Sequence, residues 1–215
     1  MIRPGDPKYL KYLGIHCAEE ICPGYQWTPT TVKMMNYLVG YFFDLRNEYT
    51  KDLDRRKGLA LIGPYGIGKT VAFRIVHRML EKRYSGDPSE NRNTFRQTSI
   101  EEIITAMKAE EFRDGILFKR LETDVGGARI SHPLNILINE FGVDYDGKHF
   151  GTPYSVMLEQ FLIERYDIFQ QTGKFTHATM NFSAEDINAK FSPRLVDRFR
   201  EMFTFVEFSG QSFRK

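Results

Sequence analysis

The sequence predicts an α/β fold built on a central parallel sheet, and three observations carry the expectation. Short apolar runs that close on glycine or a polar residue alternate with longer stretches whose apolar residues recur every three or four positions. Strands alternating with helices pair in parallel and are covered on both faces, which makes three layers. One glycine-rich loop, ending on Lys-Thr, stands between a strand-like run and a helix-like run. A further helical stretch precedes the first strand, so the core carries an N-terminal helical extension.

A chain of 215 residues is long enough for one substantial domain plus an appendage. Its 30 Lys+Arg against 28 Asp+Glu leave a formal charge of +2, so no strong basic field announces nucleic acid and any such contact must be a local patch. No apolar run approaches the ~18 residues of a membrane span. The first residues, MIRPGDPKYLKYLG, lack the apolar core of a secretory signal. Two cysteines without such a signal point to a reducing, cytoplasmic setting and not to a disulfide scaffold.

Residues 1–30 hold Pro4, Pro7, Pro23 and Pro29 and little periodicity, so they read as a loose, partly ordered lead-in. From Thr30, the spacing of Met34, Tyr37, Leu38, Tyr41, Phe42 and Leu45 predicts an amphipathic helix. The charged run KDLDRRKG (51–58) reads as a solvated connector, which places an extension at 1–52 and the core at 53–215. LALIG (59–63) has the texture of a buried strand, and Ala72, Ile75, Val76, Met79 and Leu80 mark one face of a helix from Thr70 to about Lys82. SGDPSENRN (85–93) is turn-rich, TFRQT (94–98) reads as a strand, and Ser99 with Glu102 forms a capping box for a helix reaching about Phe112. The segment 113–133 has no clear period. LNILIN (134–139) is the next buried strand. A helix striped by Met157, Leu158, Phe161, Leu162, Tyr166 and Phe169 comes next, then a strand FTHATMN (175–181), helices over AEDINAKF (184–191) and PRLVDRFRE (193–201), and a last strand MFTFVEF (202–208).

GPYGIGKT (63–70) matches G-x-x-x-x-G-K-[ST] with the flanks that the motif requires, a strand before and a helix after. Gly63, Pro64, Tyr65, Gly66, Ile67, Gly68, Lys69, Thr70 and Val71 are therefore expected to bind nucleotide phosphate. Backbone N–H groups close around phosphate oxygens, and the following helix points its positive end at them. Lys69 would reach the β- and γ-phosphates of ATP, and the Thr70 hydroxyl would ligate Mg²⁺.

The strand LNILIN ends on Asn139-Glu140, where P-loop ATPases commonly place two acids. An acid at position 139 would hold a water of the Mg²⁺ shell, and Glu140 would polarise the attacking water. The Asn139 amide accepts a hydrogen bond from metal-bound water but lacks the charge; one missing unit charge at ~4 Å costs roughly 4 kcal/mol at an effective dielectric of 20. The expectation is retained ATP·Mg²⁺ binding, weaker metal affinity and slow hydrolysis, with Asp144 or Asp146 as substitutes. Asn181 ends FTHATMN, and a polar group there either orients the lytic water or simply makes a turn. Arg194 and Arg198 lie four apart on one helix face, as surface charge or as an arginine finger reaching a neighbour's site. His16, Cys17 and Cys22 lack a fourth ligand at zinc spacing. Lys108, Arg113, Lys119 and Arg120 are interleaved with Glu101, Glu102, Glu110 and Glu111, which favours a solvated helix over a DNA-contacting patch.

Taken together, GPYGIGKT, ILINEFG, THATMNFSAEDI, SPRLVDRFREMF and the terminal GQSFRK resemble the DnaC/IstB branch of the AAA+ ATPases, a group of helicase loaders and transposition helpers. The resemblance spans about residues 50–215. It implies an AAA+ (ASCE-type) core with Lys69 and Thr70 as Walker A residues, Asn139 and Glu140 as the Walker B pair, Asn181 as sensor 1, and Arg198 as the arginine finger with Arg194 as its alternate. Arg214 resembles the tail arginine of the family. It also implies head-to-tail homo-oligomers on single-stranded DNA that engage a replicative helicase or a transposase. The sequence departs at Asn139, and its first 50 residues do not resemble a zinc-bearing or helicase-docking domain. Two other function classes stand beside this one. One is a nucleotide-gated binding module that does not turn over, favoured by Asn139; the other is a small-molecule P-loop kinase, disfavoured by the few arginines in 113–133.

Overall fold

The computed structural model of the chain describes residues 7–84, 93–108, 121–125, 128–141, 148–149, 152–181 and 184–213. Its elements are α1 (Pro7–Ile21), α2 (Pro29–Phe42), β1 (Gly58–Ile62), α3 (Lys69–Arg83), β2 (Phe95–Ser99), α4 (Ile100–Lys108), β3 (Leu121–Val125) and β4 (Ala128–His132). They continue with β5 (Asn135–Phe141), β6 (Lys148–His149), β7 (Thr152–Pro153), α5 (Tyr154–Thr172), β8 (Thr176–Met180), α6 (Ala184–Lys190), α7 (Pro193–Met202) and β9 (Phe203–Glu207). The chain divides into two compact units. The first takes the residues up to Arg55, Pro64–Thr94 and the tail from Phe208; the second takes Arg56–Gly63 and Phe95–Glu207. The N-terminal helices group with α3 and the tail.

Helix α1 corrects the expectation of a loose lead-in. Its buried residues Leu10, Leu13, Gly14, Cys17 and Ala18 follow the three, four, seven, eight spacing of an amphipathic helix. The period is faint in the sequence because three of the five are small. Pro7 opens the helix, where its missing N–H costs nothing, and Pro23 follows its end. Gly14 allows close packing on α3: a Cβ there would lie 3.6 Å from Met79 Sδ. On the surface, Glu20 of α1 pairs with Arg78 at 3.0 Å and with Lys82 of α3. Those two cations hold the Glu20 carboxyl down at about 2. Helix α2 starts from a reciprocal cap between Thr28 and Thr31 with Pro29 at its first position. Its Phe42 ring packs edge-on against Phe73 of α3, 6.2 Å between centroids.

In the second unit all five strands of the main sheet run parallel in the order β2-β5-β8-β1-β9. Every residue of β1 and β8 is buried, as expected for strands covered on both faces. One face of the sheet meets a core of Ile103, Phe161, Leu162, Leu195, Phe199 and Met202 from α4, α5 and α7. Burying each such side chain is worth about 1.5–3 kcal/mol. Helix α4 is N-capped by Ser99, whose Oγ accepts from Glu102 N at 3.1 Å. The residues with no clear period yield the antiparallel pair β3-β4, and β6-β7 form a second short one. No helix among the described residues is long and apolar enough to cross a membrane.

The end of the sheet where strands begin is closed by a buried polar network. Arg165 of α5 is fully buried and donates through Nε to Thr176 Oγ1 and through Nη2 to the carbonyls of Leu134 and Phe175, at 3.1–3.2 Å. Burial lowers its pKa to about 9. Asn135 Oδ1 accepts from Phe175 N at 2.8 Å. Nearby His177 is fully buried and neutral: its Nδ1 accepts from Leu59 N at 3.0 Å, and desolvation with the Arg165 charge lowers its pKa to about 3.

Candidate nucleotide site

Strand β1 ends at Ile62, and the chain passes through Gly63 into the loop 64–68 and then directly into α3. Gly66 and Gly68 have φ of 78° and 91°, a region where a Cβ is strained, and these turns bring the backbone around. Helix α3 starts on Gly68 with no side chain capping it and no acid in its first turn. Its first backbone bond runs from Ala72 N to Gly68 O at 2.8 Å. The N-terminal end of α3 thus keeps its positive polarity, which suits an anion. Lys69 is buried and its Nζ donates to Pro64 O at 2.8 Å, so the ammonium lies inside the loop's own curve. Ile67 is buried and anchors the loop, whereas Pro64 and Tyr65 are exposed and Thr70 and Val71 half-buried.

The flank of this loop is built by residues that motif spacing does not reveal. The tail returns so that Phe213 N donates to Gly66 O at 3.0 Å. A Cβ on Gly66 would lie 2.1 Å from Ser212 Oγ. Upstream, Ser209 O accepts from Thr30 Oγ1 at 3.0 Å, and the buried Phe208 ring meets Tyr37 edge-on. Arg214, which resembles the tail arginine of the family, lies outside the described residues.

The remaining expected residues of the second unit sit where strands of the parallel sheet end. Gly63 N donates to Met180 O at 3.2 Å, so Gly63 and Asn181 leave adjacent strands side by side. On the next strand, β5 carries one extra residue relative to β8: Ile138 pairs with Ala178 but Phe141 pairs with Met180. Strand β5 therefore runs on through Asn139-Glu140 rather than ending there. The bulge decides what Glu140 does. Without it, Glu140 would share the face of Ile136 and Ile138 and enter the apolar core. With it, Phe141 takes that place, buried in the same core as Ile136 and Ile138, and Glu140 is exposed. Glu140 pays with a left-handed backbone, φ 55°, and its N–H donates to Thr179 Oγ1 at 2.9 Å. Bulges and left-handed non-glycine residues concentrate at functional sites.

Two amide oxygens at this edge, Asn139 Oδ1 and Asn181 Oδ1, are buried and have no hydrogen-bond partner among the described residues. The other edge is closed by Arg165 and Asn135. Buried polar atoms are rarely left without a partner, so this edge has the character of a site for a hydrated ion or a polar ligand. Neutral acceptors of this kind fit the waters around Mg²⁺. Asp144 and Asp146 lie outside the described residues.

Arg194 and Arg198 are placed on α7, the first exposed and the second half-buried. The Arg198 guanidinium lies over the Tyr166 ring of α5, 4.8 Å from its centroid, and its Nη1 is buried without a hydrogen-bond partner among the described residues. Tyr166 in turn donates to Glu201 at 2.8 Å, which fixes the platform. Neither Thr179, Ser212 nor Tyr166 is signalled by any spacing rule. Of the other sets, Cys17 is buried, Cys22 half-buried, and exposed His16 pairs with Glu20 at 3.1 Å. Lys108 Nζ lies 4.5 Å from the Tyr154 ring centroid, and Arg113, Lys119 and Arg120 lie outside the described residues.

No family model matches the chain, and no curated protein matches it in sequence. Solved structures do match in fold. The DnaC helicase loader aligns with a TM-score of 0.53 at 14% identity, over 87% of this chain and 95% of that one. DnaI aligns with a TM-score of 0.59 at 15% identity, over 90% and 89%. A candidate primosome component from Streptococcus pyogenes serotype M3 gives 0.55 at 14%, over 86% and 81%. The chain thus has a DnaC-like AAA+ fold, mixed α/β with an all-parallel central sheet.

Proposed function

We propose that the protein is an ATP-binding AAA+-type ATPase of the helicase-loader kind, which assembles on single-stranded DNA and controls a partner helicase by its nucleotide state. The observation that carries this reading is the loop 63–70, two left-handed glycines leading into an uncapped helix that begins with Lys69. Backbone N–H groups of the loop would hold the β-phosphate, and the Lys69 ammonium would leave or share the Pro64 carbonyl to meet phosphate oxygens. Thr70, and Asn139 through water, would hold Mg²⁺, whose charge offsets that of the phosphates. Glu140, presented by the bulge, would accept a hydrogen bond from the attacking water, and Asn181 would orient that water. Arg198, or Arg194 as its alternate, would stabilise charge in a neighbouring protomer's site. The unpartnered Nη1 of Arg198 supports the first choice, and the exposure of Arg194 supports the second.

The test is calorimetry of Mg·ATP binding to wild type and Lys69→Ala, followed by sedimentation with ATP and single-stranded oligonucleotide. Binding by wild type alone, and an ATP-dependent assembly lost in Arg198→Ala or Arg194→Ala, is the expected result. No nucleotide uptake at millimolar concentration would overturn the reading at its base, and identical monomers in all variants would overturn assembly.

One observation favours a second reading, a nucleotide-gated binding module that hardly turns over: the residue at position 139 is a neutral amide with a free acceptor. In that case Asn139→Asp raises ATPase activity, and Glu140→Gln in the wild-type background changes nothing. A drop in activity with Glu140→Gln assigns hydrolysis to the natural protein.

A further inference from the structure

A cavity of about 600 Å³ lies in the first unit, between α1, α2 and the turn after α2. None of its lining residues belongs to the loop 63–71. Its floor includes buried Leu10 and Met35. Its rim includes Ile15, Trp27 and Val32, which are 48%, 42% and 40% exposed. Seven large apolar side chains are exposed among the described residues, and three of them gather on this one cavity. An apolar depression continued by an exposed apolar rim is a surface shaped for another molecule.

The charge on the rim narrows what that molecule is. Among the described residues, the charged ones that line the cavity are Lys11 and Arg46, both exposed, and none is an acid. Neither has an ion pair or hydrogen bond among the described residues, whereas the neighbouring Asp44 is taken by Arg55 at 3.0 Å. Two uncommitted cations beside an apolar depression ask for carboxylates flanking an apolar stripe. The walls are helices, and no strand of the first unit among the described residues offers an edge for β-addition. Recognition must come from side chains laid into the groove, which is how an amphipathic helix binds, with anchors at i, i+3, i+4 and i+7.

We propose that the groove between α1 and α2 docks an amphipathic helix of a protein partner whose apolar stripe is flanked by Asp and Glu. The inference stands apart from the nucleotide reading, because it uses neither the phosphate loop nor the strand ends.

Trp27 is the single tryptophan of the chain and lies on the groove, so its emission reports occupancy. The probe is a displayed library of 16-residue helices with apolar residues at i, i+3, i+4 and i+7 and randomised flanks. Selection on wild type is expected to enrich acidic flanks, and synthetic winners should shift Trp27 emission to the blue. Lys11→Glu with Arg46→Glu should weaken those peptides at least tenfold while leaving the thermal midpoint and Mg·ATP uptake unchanged. Val32→Glu should abolish binding by filling the groove with a charge. The proposal is overturned if the winners have neutral or basic flanks, if the double charge reversal leaves affinity intact, or if no helix binds. It is also overturned if the face instead joins two copies of this chain, seen as concentration-dependent dimers that Val32→Glu dissolves.

Discussion

Replacing Glu140 by glycine and by alanine separates what the residue does for chemistry from what it costs the fold. Both variants remove the carboxylate and both should abolish hydrolysis. They differ in backbone. At φ 55° any residue with a Cβ is strained by about 1–2 kcal/mol, whereas glycine is not. Glycine in an ordinary strand is worse than alanine by about 0.5–1 kcal/mol, because the unfolded chain gains freedom. The two effects oppose each other here, and the larger one wins, so Glu140→Gly should be more stable than Glu140→Ala by about 0.5–1 kcal/mol. For a chain of this size that is roughly 2 °C in thermal midpoint, readable by scanning calorimetry of the two variants side by side. The sign carries the test. If alanine is the more stable substitution, Glu140 sits in ordinary strand backbone, and the bulge that exposes its carboxylate does not exist in solution.

Gly66→Ala adds a Cβ to a residue at φ 78° and drives it to 2.1 Å from Ser212 Oγ, so Mg·ATP affinity should fall at least tenfold and the Phe213 amide should exchange faster. Calorimetry and hydrogen exchange read the two effects. Arg165→Ala leaves Thr176 Oγ1 and the Leu134 carbonyl without this buried donor, while Phe175 O still accepts from Ile136 N at 3.1 Å. At about 1 kcal/mol or more for each orphaned group, urea denaturation should show a loss of roughly 2 kcal/mol, and Arg165→Lys should not restore it. Acid should act in two steps. His177 binds a proton near its ordinary 6.5 when unfolded but only at about 3 when folded, so its stability contribution falls as pH drops below 6.5, with a slope of at most about 1.4 kcal/mol per pH unit. Glu20, held at about 2, contributes above its ordinary 4.5 and loses that contribution only below it. Denaturation midpoints between pH 6.5 and 4.5 should therefore flatten in His177→Gln, which keeps an acceptor for Leu59 N–H, and not in Glu20→Gln.

The glycine-rich loop and the parallel sheet are legible because each leaves a local mark: glycines at fixed offsets before Lys69, and apolar runs such as LNILIN and FTHATM. Helix α1 is not, since Gly14, Cys17 and Ala18 bury as well as leucine does but do not weigh in a hydrophobic period. Arg165 escapes for the opposite reason: a charged residue inside the stripe of α5 reads as a surface position, and acceptors such as Thr176 Oγ1 and the Leu134 and Phe175 carbonyls, visible only in the fold, explain its burial. The bulge at Glu140 has no signature either, because neither Asn139 nor Glu140 is a residue that advertises left-handed backbone as glycine does. Lys69, Glu140 and Asn181 stand out in the sequence by residue type; Thr179, Tyr166 and Ser212, which the fold sets against Glu140, Arg198 and Gly66, are visible only in the coordinates.

The return of the tail onto Gly66 has a consequence for how the protein comes into being. Residues 66 and 212 close a ring of backbone spanning most of the chain, and such distant closures are among the last events of folding. A ribosome making this polypeptide delivers Ser212 and Phe213 long after Gly66 has emerged. Until then the turn that would greet ATP lacks one of its walls, so readiness for the ligand waits on the emergence of residues 208–213, and stalled fragments ending before Phe208 should hold nucleotide more weakly than chains that include them in a filter-binding comparison.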